Sequence, residues 1–419
     1  MVFGRLSLVA GRWSLVPTLP YEAYKSIYRM KNKLSKCTVL FIIAVFCSCG
    51  NKSPEEASVK VFDLAEALKT EETGLTSDYF SEVEMVVLDG KGEWFFPRHV
   101  IGGRFYKKYS LFYDQHNRSA LGVFSRAGDL VLSLDRKGKG PGEYSGFSEY
   151  GMDPAEEKIY VAERYNQKIH WYDLQGNWIE TIKIPTKFEH VYCMPDGNLL
   201  FQNVRRSDDN LDSCRLFLCN PAGELIKHVW NKPKEINDYS QFLDRDWLKY
   251  TESYGFLYRD APLHDTVYQL NDEYELQPFF VMDPGKMKLP EHIATDFNRS
   301  KEWRNYLRTN RFYFSGNTLM ISGSLNGWKH FDVDMDSQQI TTLSEIRDDL
   351  VGWRSPPTEC SMDGQYLIQR IYVQIYKDNI DNLVLNEDVI FPDIKEKIIT
   401  EIKNANENTD IILLYYKLK

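Results

Sequence analysis

Arginines recur where one strand of a repeated unit hands over to the next. Arg164 follows KIYVAE, Arg205 and Arg206 follow NLLFQN, Arg259 closes YGFLYR and Arg370 sits within YLIQRI. Guanidinium forks pair bidentately with carboxylates, so such positions gathered at one mouth suit an anionic or sugar-acid ligand. Lys139 and Tyr144, from a glycine-rich run, and Tyr165 and Asn166, beside Arg164, add charge, stacking faces and hydrogen-bonding groups. The expected ligand-binding set is therefore Lys139, Tyr144, Arg164, Tyr165, Asn166, Arg205, Arg206, Arg259 and Arg370. The competing reading makes the arginines solvated loop residues paired with Glu163, Asp208 and Asp260, an arrangement of small energetic value.

Support for enzyme chemistry is thinner. Eight histidines, at 99, 116, 170, 190, 228, 264, 292 and 330, are scattered, and neither HExxH nor GxSxG occurs. His170 alternates with Ile169 and Trp171 on a strand, which reads as a packed or rim residue and not as a base. Glu163, Asn166, Asn203 and Asp208 are the residues through which a rim metal would be held, but acidic loops are common, and no metal, cofactor or catalytic residue is assigned. Gly138 to Gly142 is not a phosphate loop, because neither Lys137 nor Lys139 is followed by Ser or Thr and Pro141 interrupts it. His264-Asp265-Thr266 reads as a turn before TVYQL. Cys193, Cys214, Cys219 and Cys360 match no zinc spacing and read as buried thiols, with a disulfide open to them in an oxidising compartment.

The elements that must position these residues are strands. KIYVAE, KIHWYD and WIETIKI form the clearest antiparallel set, with copies before it (YSLFYD, ALGVFS, DLVLSLD) and after it (HVYCM, NLLFQN, SCRLFLC, ELIKHVW). YGFLYR, TVYQL and LQPFFVMD make a fourth sheet, NTLMISG, KHFDVD and QITTL a fifth, and YLIQRI with DIILLYYKL a sixth. The hairpin joining the last two strands has its glycine at Gly128, Gly176 and Gly223, spacings of 48 and 47, with an equivalent turn at Asp272-Glu273. Four-stranded repeats of that length define propeller blades, and the sequence predicts an all-β, six-bladed β-propeller of four-stranded antiparallel blades. VFDLAEALKT forms a helical turn or joins an early strand, and a strand near 83 to 89 completes the last sheet and closes the ring. A helical insertion is expected near 292 to 308 and a helix near 392 to 406. The topology puts interblade loops and second-to-third-strand loops on one rim, which is where the arginines fall. The glycines of the 138 to 142 run then serve the crossing from one blade to the next.

Residues 30 to 48 read as a signal peptide: basic Lys31, Lys33 and Lys36, then an apolar run from Cys37 to Phe46. Ser48-Cys49-Gly50 at its end resembles the lipobox of bacterial lipoproteins, which makes Cys49 the lipidated residue and an N-terminal lipid the membrane contact. Residues 1 to 29 precede this complete signal and are expected to be an upstream extension, 49 to 58 a tether, and 59 to 419 the propeller. Without residues 1 to 48 the chain holds 44 basic against 59 acidic residues, a net of −15. So acidic a body excludes a nucleic-acid partner, which needs a positive surface.

GKGPGEYSGF, RDAPLHDTVYQL with DPGKMKLP after it, and the closing ENTDIILLYYKLK resemble the six-bladed propeller lipoproteins of Bacteroidetes-type bacteria, relatives in architecture of NHL-repeat propellers. His264 stands where that family has Asn, and Thr409-Asp410-Ile411 where it has Asn-Pro-Val. The resemblance implies a propeller at the cell envelope, as an outer-membrane lipoprotein facing the periplasm or the exterior. The expected function is binding of a glycan, a peptide or an envelope protein at the channel rim. The alternative is a metal-dependent propeller hydrolase, lactonase or lyase with its site at the same rim.

Overall fold

The structure, a computed structural model, describes residues 6–9, 12–15, 59–90, 103–113, 119–203, 214–231, 248–251, 253–259, 265–294, 296–353, 357, 359–377, 380, 388–404 and 411–419. Residues 1–58 form one unit, in which Leu6–Val9 pairs antiparallel with Arg12–Leu15. Residues 59–419 form the other, a six-bladed β-propeller.

Each blade is built on an antiparallel set of four strands, which in blades 1 to 5 run outward in chain order and in blade 6 end on a strand from early in the chain. Blade 1 is Gly103–Phe105, Tyr109–Tyr113, Ala120–Ser125 and Leu130–Asp135. Blade 2 is Glu149–Met152, Lys158–Glu163, Lys168–Asp173 and Trp178–Lys183. Blade 3 is His190–Cys193, Leu199–Gln202, Cys214–Cys219 and Leu225–Asn231. Blade 4 is Leu248–Thr251, Gly255–Tyr258, Thr266–Leu270 and Leu276–Asp283. Blade 5 is Arg308–Ser315, Thr318–Ser324, Trp328–Asp334 and Ile340–Arg347. Blade 6 is Glu359–Cys360, Tyr366–Tyr372 and Ile411–Leu418, completed by the early strand Phe80–Val87. That early strand pairs antiparallel with the last one, Met85 opposite Leu414, so the ring closes as the sequence predicts.

Two blades depart from four strands. Lys60–Asp63 adds in parallel to the outer edge of blade 4, and Glu71–Leu75 does the same on blade 5. VFDLAEALKT thus divides between a strand and a short helix, Leu64–Ala67, whose first turn is capped by Asp63 accepting from the Glu66 amide at 2.9 Å. This N-terminal belt is locked by Asp348, 4% exposed, which accepts from the Thr76 hydroxyl, the amides of Leu350, Val351 and Trp353, and the Tyr416 hydroxyl. The helical insertion comprises Glu291–Ala294 and a 3-10 turn over Phe297–Asn305, and the later helix is Pro392–Asn404.

The recurrent outer hairpin turns on a residue at positive φ. Gly128, Gly176 and Gly223 have φ of 99°, 80° and 86°. In blade 2 Asp173 Oδ1 accepts from the Gln175 and Asn177 amides, and in blade 3 Asn220 Oδ1 accepts from Ala222 and Glu224. A Cβ at Gly128 would lie 2.1 Å from the Val87 carbonyl oxygen of the closing strand, so glycine is required there both for its dihedral and for space. Blade 4 makes the same turn with Tyr274 at φ 57°, and blade 5 one a residue longer with Gln338 at φ 60°.

Between blade 5 and the belt, the Tyr79 hydroxyl donates to Asp332. Burial, with Asp78 nearby, pushes the Asp332 carboxyl from 3.8 up to about 6 despite that hydrogen bond. Native Asp332 therefore holds its proton at a higher pH than unfolded Asp332. Between about pH 4 and pH 6 the native state binds more protons, and this group's contribution to stability falls as pH rises. Asp332→Asn is expected to flatten that part of the stability profile and to gain most over the parent above pH 6. Urea titrations at a series of pH values check this, and parallel profiles for the two proteins would refute it.

Candidate functional site

A charged network links the inner strands of blades 1, 2 and 3. Arg104 of blade 1 pairs with Glu149 of blade 2, donates to the Tyr160 hydroxyl at 2.9 Å and reaches the Val191 carbonyl of blade 3 at 3.4 Å. A side chain from blade 1 meets blade 3 only on the axial side of blade 2, which places this guanidinium in the channel. Glu149 Oε1 also lies 3.0 Å from His190 Nδ1 at the start of blade 3. The guanidinium sits 5.6 Å from the Tyr150 ring and 6.0 Å from that of Tyr192. Burial works against its charge, but Tyr160 and Glu149 hold it firmly in the charged form. Burial raises the phenols of Tyr106, Tyr150 and Tyr160, which stay neutral; the Tyr160 hydroxyl donates to the Val191 carbonyl and that of Tyr106 accepts from the Met152 amide, both at 2.9 Å.

Around this centre each blade supplies an arginine to one end of the ring, the end at which inner strands begin and second strands finish. They are Arg104, Arg164, Arg215, Arg259, Arg308 and Arg370 in blades 1 to 6. Three share a motif of arginine, glutamate and tyrosine ring. Arg104 has Glu149 and Tyr150. Arg164 has Glu189 at 3.1 Å and Tyr165 at 4.9 Å. Arg370 has Glu359, with Tyr372 at 5.8 Å. The three glutamates stand at or just before the first residue of an inner strand. Sequence reasoning missed them, along with Arg104 and His190; the recurrence of Glu as the second residue of SEYGM, FEHVYC and TECSM is the signal that marks them.

The predicted rim set is partly assembled here and partly dispersed. Arg164 and Arg370 lie at this mouth, paired with Glu189 and Glu359; Glu163 is instead bonded to Ser145, Asn166 and His170, and Asp208 and Asp260 lie outside the described residues. Arg259 is 4% exposed and donates to Thr309 Oγ1 at 2.7 Å, which ties blade 4 to blade 5 and corrects its reading as a solvent-facing rim residue. Tyr165 is 73% exposed and Lys139 is also exposed. Arg205, Arg206 and Cys49 lie outside the described residues.

Tyr144 is a further correction. Its ring is fully buried against Phe147 and Tyr172, and its hydroxyl donates to the Ser119 carbonyl at 2.5 Å while accepting from the Arg136 amide at 3.2 Å. The glycine-rich run folds round this anchor. Glu143 Oε2 takes the Gly140 amide, Tyr172 donates to the Gly142 carbonyl, and Ser145 donates to Glu163 at 2.5 Å. Asn166 Nδ2 donates to the same Glu163 at 2.7 Å, and Glu163 Oε1 meets His170 Nε2 at 2.9 Å. Burial opposes the Glu163 charge, but these hydrogen bonds from Ser145, His170 and Asn166 together hold its carboxyl below the usual range. Glu163 and Asn166 are thus committed to one another. Among the described residues no group of three His, Cys, Asp or Glu side chains is placed to hold a metal ion. The four described cysteines are free thiols, and burial pushes Cys193 and Cys219 up to about 12.

Three of the six guanidinium groups at this mouth are paired with glutamates, and with one imidazole and several tyrosine faces they make it rich in planar hydrogen-bonding edges. Such edges can recognise polyhydroxyl or amide ligands as well as anions. The class defined is a six-bladed β-propeller with a polar axial mouth. The chain belongs to the family described as domain of unknown function DUF4934, whose model matches residues 59–417.

Among solved structures, the chain is similar to a Bacteroides fragilis protein described as exported, at 17% identity and a TM-score of 0.60, over 83% of this chain and 99% of that one. It is also similar to a member of the DUF4221 family from Bacteroides vulgatus, at 11% identity and a TM-score of 0.48, over 81% and 97% of the two chains. No curated protein matches it.

Proposed function

We propose that this is an exported, lipid-anchored envelope protein whose propeller binds a glycan at the mouth formed by the Arg–Glu–Tyr sets. The observation that carries the reading is the threefold recurrence of that set at one end of the ring. Stacking rings beside bidentate polar groups suit a sugar's apolar face and its hydroxyls. Export accords with the leader at residues 30 to 48 and with the description of the Bacteroides fragilis protein. Among the described residues no helix is long and apolar enough to cross a membrane, and a lipid on Cys49 would supply the attachment.

Two measurements test this. A glycan array probed with the full chain is expected to yield a ligand whose affinity drops about tenfold in Tyr165→Ala, a change that costs one exposed stacking face and little stability. Equal binding by parent and variant would reject the mouth as the site. Fatty-acid labelling of the protein in a bacterial host is expected to require Cys49, and label retained in Cys49→Ala would reject the anchor.

A further inference from the structure

Arg308, the mouth arginine of blade 5, has no carboxylate partner among the described residues, unlike Arg104, Arg164 and Arg370. Its Nη2 donates to Ser324 Oγ at 2.9 Å, and its guanidinium lies 5.7 Å from the centre of the Trp303 ring. The Nε is buried without a hydrogen-bond partner, and burial lowers the guanidinium with no acidic neighbour to hold its charge as Glu149 holds that of Arg104. Arg308 stands opposite Ser324, and Ser324 opposite Trp328, on the first, second and third strands of the blade. Directly opposed residues of antiparallel strands project to the same face, so guanidinium, hydroxyl and indole share one side of the sheet at the arginine mouth. Trp328 is 66% exposed. The 3-10 insertion builds this corner: it supplies Trp303, and its Arg304 carbonyl accepts from the Asn326 amide at 2.8 Å, which pins the loop leading into Trp328.

We propose that this corner of blade 5 is a subsite that reads one carboxylate on the bound glycan, so that the glycan carries a uronic acid; the inference rests on the glycan reading of the mouth. A partly buried cation without a counter-ion destabilises the fold, and an anionic ligand relieves that on binding. The gain exceeds what a fully solvated cation would give. A guanidinium offers parallel N–H donors to a planar carboxylate, and Trp328 offers its face to the sugar ring that bears it. One cation balances one charge. The net of −15 on the chain without residues 1 to 48 repels polyanions, so the fitting ligand has an isolated uronic acid and is not a sulfated or polyuronic chain.

Titration calorimetry of the full chain tests this with disaccharides that carry one glucuronate, galacturonate or mannuronate, each paired with its carboxyl-reduced neutral form. At least one acidic disaccharide is expected to bind about tenfold tighter than its neutral form. Arg308→Gln is expected to abolish that preference without lowering the unfolding temperature, since it removes a cation that has no counter-charge. Trp328→Ala, at an exposed position, is expected to weaken both forms severalfold. Acidic forms binding no tighter than neutral ones across the panel, a preference retained in Arg308→Gln, or unchanged binding by Trp328→Ala would each overturn the subsite. The mouth has its own test in Tyr165→Ala: a neutral glycan whose binding drops in that variant leaves the mouth standing when the subsite falls.

Discussion

Asp348→Ala is expected to lower the unfolding free energy by about 4 kcal/mol or more, among the largest effects of any single substitution here. The carboxylate is buried and accepts five hydrogen bonds, from Thr76, Leu350, Val351, Trp353 and Tyr416. Alanine leaves buried donors from three separated stretches without that acceptor: the belt, the connection from blade 5 to blade 6, and the last strand. Asp348→Asn keeps one oxygen but turns an amide toward donors of Trp353 and Tyr416, so about half the loss is expected. Urea unfolding followed by tryptophan fluorescence measures both. A loss under about 1 kcal/mol for the alanine variant would show that the latch is dispensable.

Arg104→Met should cost about 3–5 kcal/mol, because it strips a buried carboxylate of its guanidinium and removes the donor to Tyr160 and Val191. The informative experiment is the cycle with Glu149→Gln. If the pair acts as a unit, the double variant loses clearly less than the two single losses together, since no uncompensated charge remains in the channel. Additive losses in thermal or urea unfolding would mean that Arg104 and Glu149 are not coupled. His190, 3.0 Å from Glu149, belongs to the same unit and should be kept intact throughout.

The outer strands were legible because their hairpin repeats a glycine at positive φ, Gly128, Gly176 and Gly223, in blades 1 to 3. That signal fades after Gly223 because Tyr274 and Gln338 adopt the same backbone without being glycine. Most inner strands left little trace. Gly103–Phe105 has three residues and Glu359–Cys360 two, too few for alternation to register, yet they carry Arg104 and Glu359. The arginine rim was legible as topology, since Arg164 and Arg370 do reach one end of the ring. Their partners were not, because each glutamate opens an inner strand, in the case of Arg164 that of the next blade. Tyr144 illustrates the opposite failure. Gly, Lys and Glu around it suggest exposure, but a tyrosine whose hydroxyl finds the Ser119 carbonyl can be buried whole. The parallel belt strands were unreadable in kind, because KVFD and EETGL become strands through the edges that blades 4 and 5 offer them.

The pairing of Phe80–Val87 with Ile411–Leu418 also dictates an order of events. Contacts so distant in sequence form late, after the loop between them has been closed by other structure. During synthesis blades 1 to 3 can assemble as they appear, whereas blade 6 waits for the last strand and the ring stays open until then. The protein therefore spends its early life as an unsealed arc with the belt segment unpaired. Sealing joins Phe80–Val87 to the last strand, so unravelling from the C-terminal side must first break that sheet, while unravelling from the N-terminal side must first strip Lys60–Asp63 and Glu71–Leu75 from blades 4 and 5.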